Sequence, residues 1–92
     1  MELSSIRSRK APQEIVYRIR GQILAGLLER GSKLPSEHEL MHTFNVSRQT
    51  LREALRVLEV QGLLEIRAGS GGGAFVAEVD LETAQMGLIN FF

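Results

Sequence analysis

Ile15, Ile19, Ile23 and Leu27 recur four residues apart, Val16, Leu24 and Leu28 widen the stripe, and Glu14, Arg18 and Gln22 lie opposite. That spacing predicts an amphipathic helix, opened by Pro12, whose fixed φ suits a first helical position, and closed near Gly31. Residues 31–35, Gly-Ser-Lys-Leu-Pro, follow as a turn with room for a very short strand. Ser36-Glu37-His38-Glu39 reads as a capping box, in which Ser36 accepts from the Glu39 amide and Glu39 reaches back to the Ser36 amide. The short helix it opens has Leu40, Met41 and Phe44 as its apolar positions, and Asn45 can take the left-handed turn that ends it. Ser47 then caps another helix, with Leu51, Ala54, Leu55 and Leu58 on one arc and Gly62 just past its end. Two short strands, residues 63–67 and 74–77, are predicted beyond, joined through the hairpin tip Gly69-Ser70-Gly71-Gly72-Gly73.

The order helix, helix, tight turn, helix, β-hairpin is α+β, mainly α. It describes a winged helix-turn-helix, three helices plus a two-stranded β-hairpin wing. With Arg48 at zero on a wheel of about 100° per residue, Arg52 falls near ~40°, Arg56 near ~80° and Gln49 near ~100°, while Leu51, Leu55 and Leu58 cluster at roughly 280–340°. One face is core and the other is a row of three arginines with Gln49 beside it. Arg48 stands in the first turn, where free amides and the positive helix end favour a phosphate and a guanidinium can grip a guanine edge. Gln49 can read adenine in the same bidentate way, and Ser47 or Thr50 can bind phosphate oxygens. Arg52 and Arg56, further along, suit phosphate neutralisation. The bland reading pairs Arg52 and Arg56 with Glu59 and its neighbours on a solvated face; for Arg48, after a tight turn, few structural reasons suggest themselves.

Composition refines this picture. Ninety-two residues allow one domain, and 43% apolar with 24% charged is a globular balance. The formal charge is zero, yet residues 1–67 hold all 11 Lys/Arg against 8 acids, whereas residues 68–92 hold only Glu78, Asp80 and Glu82. The charge is segregated, and a polyanion can meet the basic part alone. There is no cysteine, hence no disulfide or thiolate metal site. No apolar run approaches the ~18 residues of a membrane span, and Met1–Lys10 lacks the apolar stretch of a secretory signal. A cytoplasmic protein without a membrane partner is the expectation. Residues 1–11, with Arg7, Arg9 and Lys10, read as a loose basic arm, and residues 12–78 as the winged domain. Residues 79–92 read as a linker and a helix capped by Asp80 (Leu81, Ala84, Leu88, Phe91), the first of a C-terminal domain expected to be missing.

Two patterns invite enzymatic readings. His38-Glu39-Leu40-Met41-His42 matches the zinc-protease signature H-E-x-x-H, and both histidines share one helical face. The helix is short, however, Glu39 already serves the capping box, and no third histidine exists. Gly62 occupies the place where a downstream glutamate ligand would be expected. The glycine-rich tip lacks a following Gly-Lys-Ser/Thr and leads into a strand, so it is no phosphate-binding loop. No nucleophilic triad assembles. The expectation is no catalysis, no cofactor and no metal.

Lys33-Leu34-Pro35-Ser36-Glu37, the run from Val46 to Leu55 (Val-Ser-Arg-Gln-Thr-Leu-Arg-Glu-Ala-Leu) and Gly62-Leu63-Leu64 resemble the DNA-binding domain of GntR-type bacterial transcriptional regulators, over residues 12–78. The wing, Gly71-Gly72-Gly73-Ala74-Phe75-Val76, is most similar to the FadR-like (FCD) branch, whose all-helical C-terminal domain binds a small effector, often an organic acid, and frequently a metal. The resemblance implies a homodimer on a short palindromic operator in double-stranded DNA, with the recognition helix entering the major groove by its N-terminal end and the wing tip near the minor groove. Its helix-turn-helix segment would run from Ser36 to Leu55. By position it implies DNA contacts at Ser47, Arg48, Gln49, Thr50 and Arg52, with Gly69 at the wing. Arg67 adds charge near the wing. His38 stands where many relatives carry arginine, which makes a backbone contact there weaker or pH-dependent. Ala68 stands where the branch's best-known member carries a larger polar residue. The expected function is sequence-specific DNA binding by a transcriptional regulator, read as a repressor released when an effector binds the absent domain. The rival is a winged-helix module for protein or RNA without an operator, which zero net charge favours.

Overall fold

Among the described residues, each helix is followed within two residues by one in the left-handed conformation. In the computed structural model, which describes residues 6–78, the elements run α1 (Ile6–Leu24), α2 (Glu37–Phe44), α3 (Arg48–Val60), β1 (Leu64–Arg67) and β2 (Gly73–Val76). Gly26 (φ 77°), Asn45 (φ 54°) and Gly62 (φ 79°) follow the three helices. In each case the next amide folds back onto the last turn: Leu27 N–H donates to the Gln22 carbonyl (2.9 Å), Val46 to Met41 (3.1 Å) and Leu63 to Leu58 (2.9 Å). These bonds satisfy carbonyls that a helix end otherwise leaves orphaned. The Asn45 and Gly62 ends agree with the expected ones. Residues 1–5 of the expected arm and the expected helix from Asp80 onward lie outside the described residues.

α1 departs from expectation at both ends. It starts at Ile6, so residues 6–11 of the expected loose arm are helical and Pro12 lies inside the helix rather than at its first position. An internal proline lacks the N–H that would donate to the carbonyl four residues back, and its ring crowds that carbonyl. At the other end α1 stops at Leu24, because Gly26 takes the left-handed turn before the apolar period runs out. Leu24 and Leu27, expected in the core stripe, are therefore 74% and 75% exposed.

The core joins Ile15, Val16 and Ile19 of α1 to Leu51, Ala54, Leu55 and Leu58 of α3, with Leu40 of α2, Leu34, and Leu64, Ala74 and Val76 of the wing. Ile23, Leu28, Met41, Phe44, Val46 and Leu63 are half-buried around it. Among the described residues no polar or charged residue is buried. Cohesion is therefore hydrophobic, each fully buried aliphatic side chain contributing about 1.5–3 kcal/mol.

The wing is an antiparallel hairpin in the register Leu64↔Val76 to Arg67↔Gly73, each strand starting within one residue of the predicted position. The segment after α1 runs along the other edge of β2. Gly31 N–H donates to Val76 C=O, Val76 N–H to Ser32 C=O and Leu34 N–H to Ala74 C=O, each at 2.8 Å. The short strand expected there is thus a single bridge, Lys33 with Phe75, that ties the wing to the helices. At the tip, a Cβ on Gly72 would collide with the Arg67 carbonyl, so the tight return needs glycine at that point.

Leu51 is completely buried where α1 and α3 meet. Leu51→Ala is expected to cost about 2–5 kcal/mol in urea unfolding; a loss below about 1 kcal/mol would show that this contact is not what holds α3 in place.

Candidate nucleic-acid interface

With its leucine arc in the core, α3 turns Arg48, Gln49, Arg52 and Arg56 outward, all four exposed. Ser47 caps the helix in extended conformation (φ −72°, ψ 162°). Its Oγ accepts from Thr50 N–H at 3.2 Å and donates to Thr50 Oγ1 at 3.0 Å. Both hydroxyls therefore already shape the helix start. Three residues, Asn45 to Ser47, separate α2 from α3, and the capping box at the start of α2 is complete: Glu39 N–H to Ser36 Oγ at 3.1 Å and Ser36 N–H to Glu39 Oε1 at 3.3 Å.

The tight turn brings the first residue of α2 against the first two turns of α3. There Glu37 receives two hydrogen bonds from Arg52, Nε to Oε2 at 2.8 Å and Nη2 to Oε1 at 3.2 Å. Arg48 Nε stands 2.9 Å from Oε1 of the same carboxylate. The Arg52 hydrogen bond is the main force holding the Glu37 carboxyl below the usual carboxylate range; burial opposes it, and the charges of Arg52 and Arg48 assist. Glu37 in turn raises the Arg52 guanidinium above its ordinary value. Arg48 thus has a structural partner, contrary to the expectation from sequence, and Arg52 pairs with Glu37 rather than with Glu59 or its neighbours. Exposed ion pairs add little net stability, so the main consequence is orientation. Glu37 fixes one guanidinium in a fork and keeps the other beside it.

The remaining expected residues are spread around this centre. Arg56 is exposed and has no ion pair among the described residues. His38 is exposed next to Glu37 on α2. It shares a face with exposed His42, but Glu39 is engaged in the capping box, and no group of three or more potential metal ligands occurs among the described residues. At the wing, Gly69 is exposed with φ 86°. Arg67 donates to Glu65 Oε1 at 3.1 Å and lays its guanidinium 4.0 Å from the centre of the Phe75 ring. Lys33 Nζ lies 5.8 Å from the same ring. The reading from sequence had no place for Glu37, Lys33 or Phe75 at this surface. For Glu37 one signal existed, an acid opening one helix of a tightly turned pair whose second helix opens with arginines.

An α3 anchored by its apolar arc and lined outside with arginines, beside a glycine-tipped wing, defines a winged helix-turn-helix regulatory domain. Residues 12–76 match the family of bacterial regulatory proteins named gntR. The chain belongs to that family and is the DNA-binding domain of a GntR-type regulator, not an enzyme. It is 39% identical over 69 residues to the HTH-type transcriptional regulator Mce2R of Mycobacterium tuberculosis, covering 75% of this chain and 29% of that one. It is 49% identical over 59 residues to the mannosyl-D-glycerate transport/metabolism system repressor MngR of Escherichia coli, covering 64% and 25%. The chain thus spans less than a third of the length of these relatives. The solved AraR DNA-binding domain in complex with operator ORR3 superposes with a TM-score of 0.65 at 40% identity, over 73% of this chain and 78% of that one.

The Glu37 geometry predicts a pH signature. Because its folded-state value is lowered, the contribution of this group to stability is complete above the unfolded value, about 4.3, and is lost as pH falls through the folded value. Carbonyl-detected NMR should find Glu37 titrating below the ordinary carboxylate range, and Arg52→Gln should move it back up. An unshifted Glu37 in the unsubstituted protein would contradict the hydrogen bonds described.

Proposed function

We propose that this chain reads a short palindromic operator in double-stranded DNA as one half of a homodimer, placing the N-terminal end of α3 in the major groove. The observation that carries this reading is the outward row of Arg48, Gln49, Arg52 and Arg56 at the capped start of a rigidly seated helix. Arg48 reaches a guanine edge and Gln49 an adenine. Ser47, Thr50, Arg52 and Arg56 engage phosphates and set the register, with His38 as a further backbone contact. The wing brings Gly69 toward the minor groove, and Arg67, partly compensated by Glu65, adds a modest attraction. The similar AraR domain, solved with an operator, supports the DNA-reading role, and the similarity to MngR, named a repressor, supports repression. The protein acts in the cytoplasm, and a small effector bound by a C-terminal domain of the FadR-like kind releases it. That change alters half-site spacing and so affinity.

A second reading, a protein- or RNA-interaction module, is favoured by the exposed apolar residues Tyr17 (67%) and Val60 (81%). Selection from a random-sequence duplex pool, with this chain fused to a parallel dimerising zipper at moderate salt, separates the two. Enrichment of an inverted repeat is the expected outcome, and no enrichment by a folded dimer would favour the interaction module.

Two substitutions divide the labour along α3. Arg48→Ala should cost about 1–3 kcal/mol of binding and flatten base preference at one position; an equal loss on every sequence would make it a phosphate contact. Arg56→Ala should weaken binding uniformly and lower the slope of log affinity against log salt by about one. An unchanged slope would remove Arg56 from the DNA surface.

A further inference from the structure

We propose that Glu37 sets the specificity of this interface by acting as an internal stand-in for a DNA phosphate. The inference rests on the operator reading above and extends it to a residue that is not itself one of the expected contacts. A carboxylate taking Nε and Nη2 of Arg52 at 2.8 and 3.2 Å is gripped as a guanidinium grips a phosphate, by a fork of two bonds. Arg48 is held differently, by one ion-pair distance of 2.9 Å to an oxygen that Arg52 already uses. Arg52 is locked and Arg48 is tethered.

That asymmetry discriminates between DNA sequences. A phosphate offers Arg48 little more than Glu37 already provides, so random DNA gains little by displacing the tether. A guanine edge offers two acceptors in a fixed plane, a bidentate geometry that Arg48 does not have with the shared carboxylate oxygen. The carboxylate also lowers the charge of the three-residue cluster from two positive to one and repels phosphates that approach out of register. Sequence-independent binding, which depends on neutralised phosphates and released counterions, is therefore the component that Glu37 suppresses most. Around the carboxylate lie the flanking His38, the Glu39 of the capping box and, across the groove at the foot of the wing, Lys33.

The test compares the unsubstituted chain with Glu37→Gln and Glu37→Asp in the zipper-fused form. The probes are the inverted-repeat duplex recovered by selection and poly(dI-dC), titrated across a range of salt. Glu37→Gln is expected to bind poly(dI-dC) roughly tenfold more tightly, with a salt slope steeper by about one. Affinity for the selected duplex does not rise in step, so the ratio between the two falls by about tenfold. Glu37→Asp keeps the charge at the start of α2 and so the original slope, but it is one methylene short of holding both arginines. Its ratio falls too, which carries the test if glutamine loosens the helix end by circular dichroism. Parallel loss of both affinities with unchanged slope would reduce Glu37 to a structural role and overturn the inference alone, as would an unchanged ratio. An unsubstituted protein that fails to distinguish the two DNAs would overturn the operator reading and this inference together.

Discussion

Everything on the exposed side of this domain depends on how α3 is rolled about its own axis, and that roll is set by burial. Leu51 and Leu58 have no exposed surface, and Ala54 and Leu55 complete the arc against α1, Leu34 and the wing. Rotating the helix enough to turn Arg48 toward the core would expose several of these side chains at a cost of about 1.5–3 kcal/mol each. The leucines thus place the arginines. Their positions follow from packing chemistry that has no dealings with a nucleic acid, so the face is formed before any partner arrives.

Around that seated helix the polar groups act locally. Ser47 closes the start of α3, Ser36 and Glu39 close the start of α2, and Asn45 folds one helix back onto the other in three residues. This close return lets Glu37 span the two helices and hold Arg52 and Arg48 together. The wing is joined to the same body by the bonds between residues 31–34 and β2. A rigid helix face, a shared carboxylate and a tethered hairpin together form one continuous surface.

Much of this was legible from the residues because the governing rules are local. A capping box, an asparagine or glycine at a helix end and an i, i+3, i+4 leucine arc each act within a few residues, and for α2 and α3 the structure has them where expected. The ends of α1 were not legible for the same reason. The apolar period runs on past Gly26 to Leu27 and Leu28, and Pro12 is compatible with either a helix start or a tolerated interior position. The partner of Arg52 was missed because its distance along the chain, fifteen residues, belongs to no single helix. Spacing along α3 points to neighbours such as Glu53 and Glu59, yet the turn geometry supplies Glu37. Arg67 and Lys33 meeting on Phe75 is likewise a product of strand register, which residue spacing alone does not reveal.

The central claim is that this surface, and not the apolar outer face of α1, meets the partner. Amide chemical-shift mapping of the 92-residue chain during titration with a duplex containing one selected half-site tests it most directly. Shifts are expected to concentrate at Ser47 to Arg52, at Glu37 and His38, and at Gly69 to Gly73, with Tyr17 and Leu24 of α1 unmoved. Shifts centred on Tyr17 and Leu24, with the start of α3 silent, would contradict it.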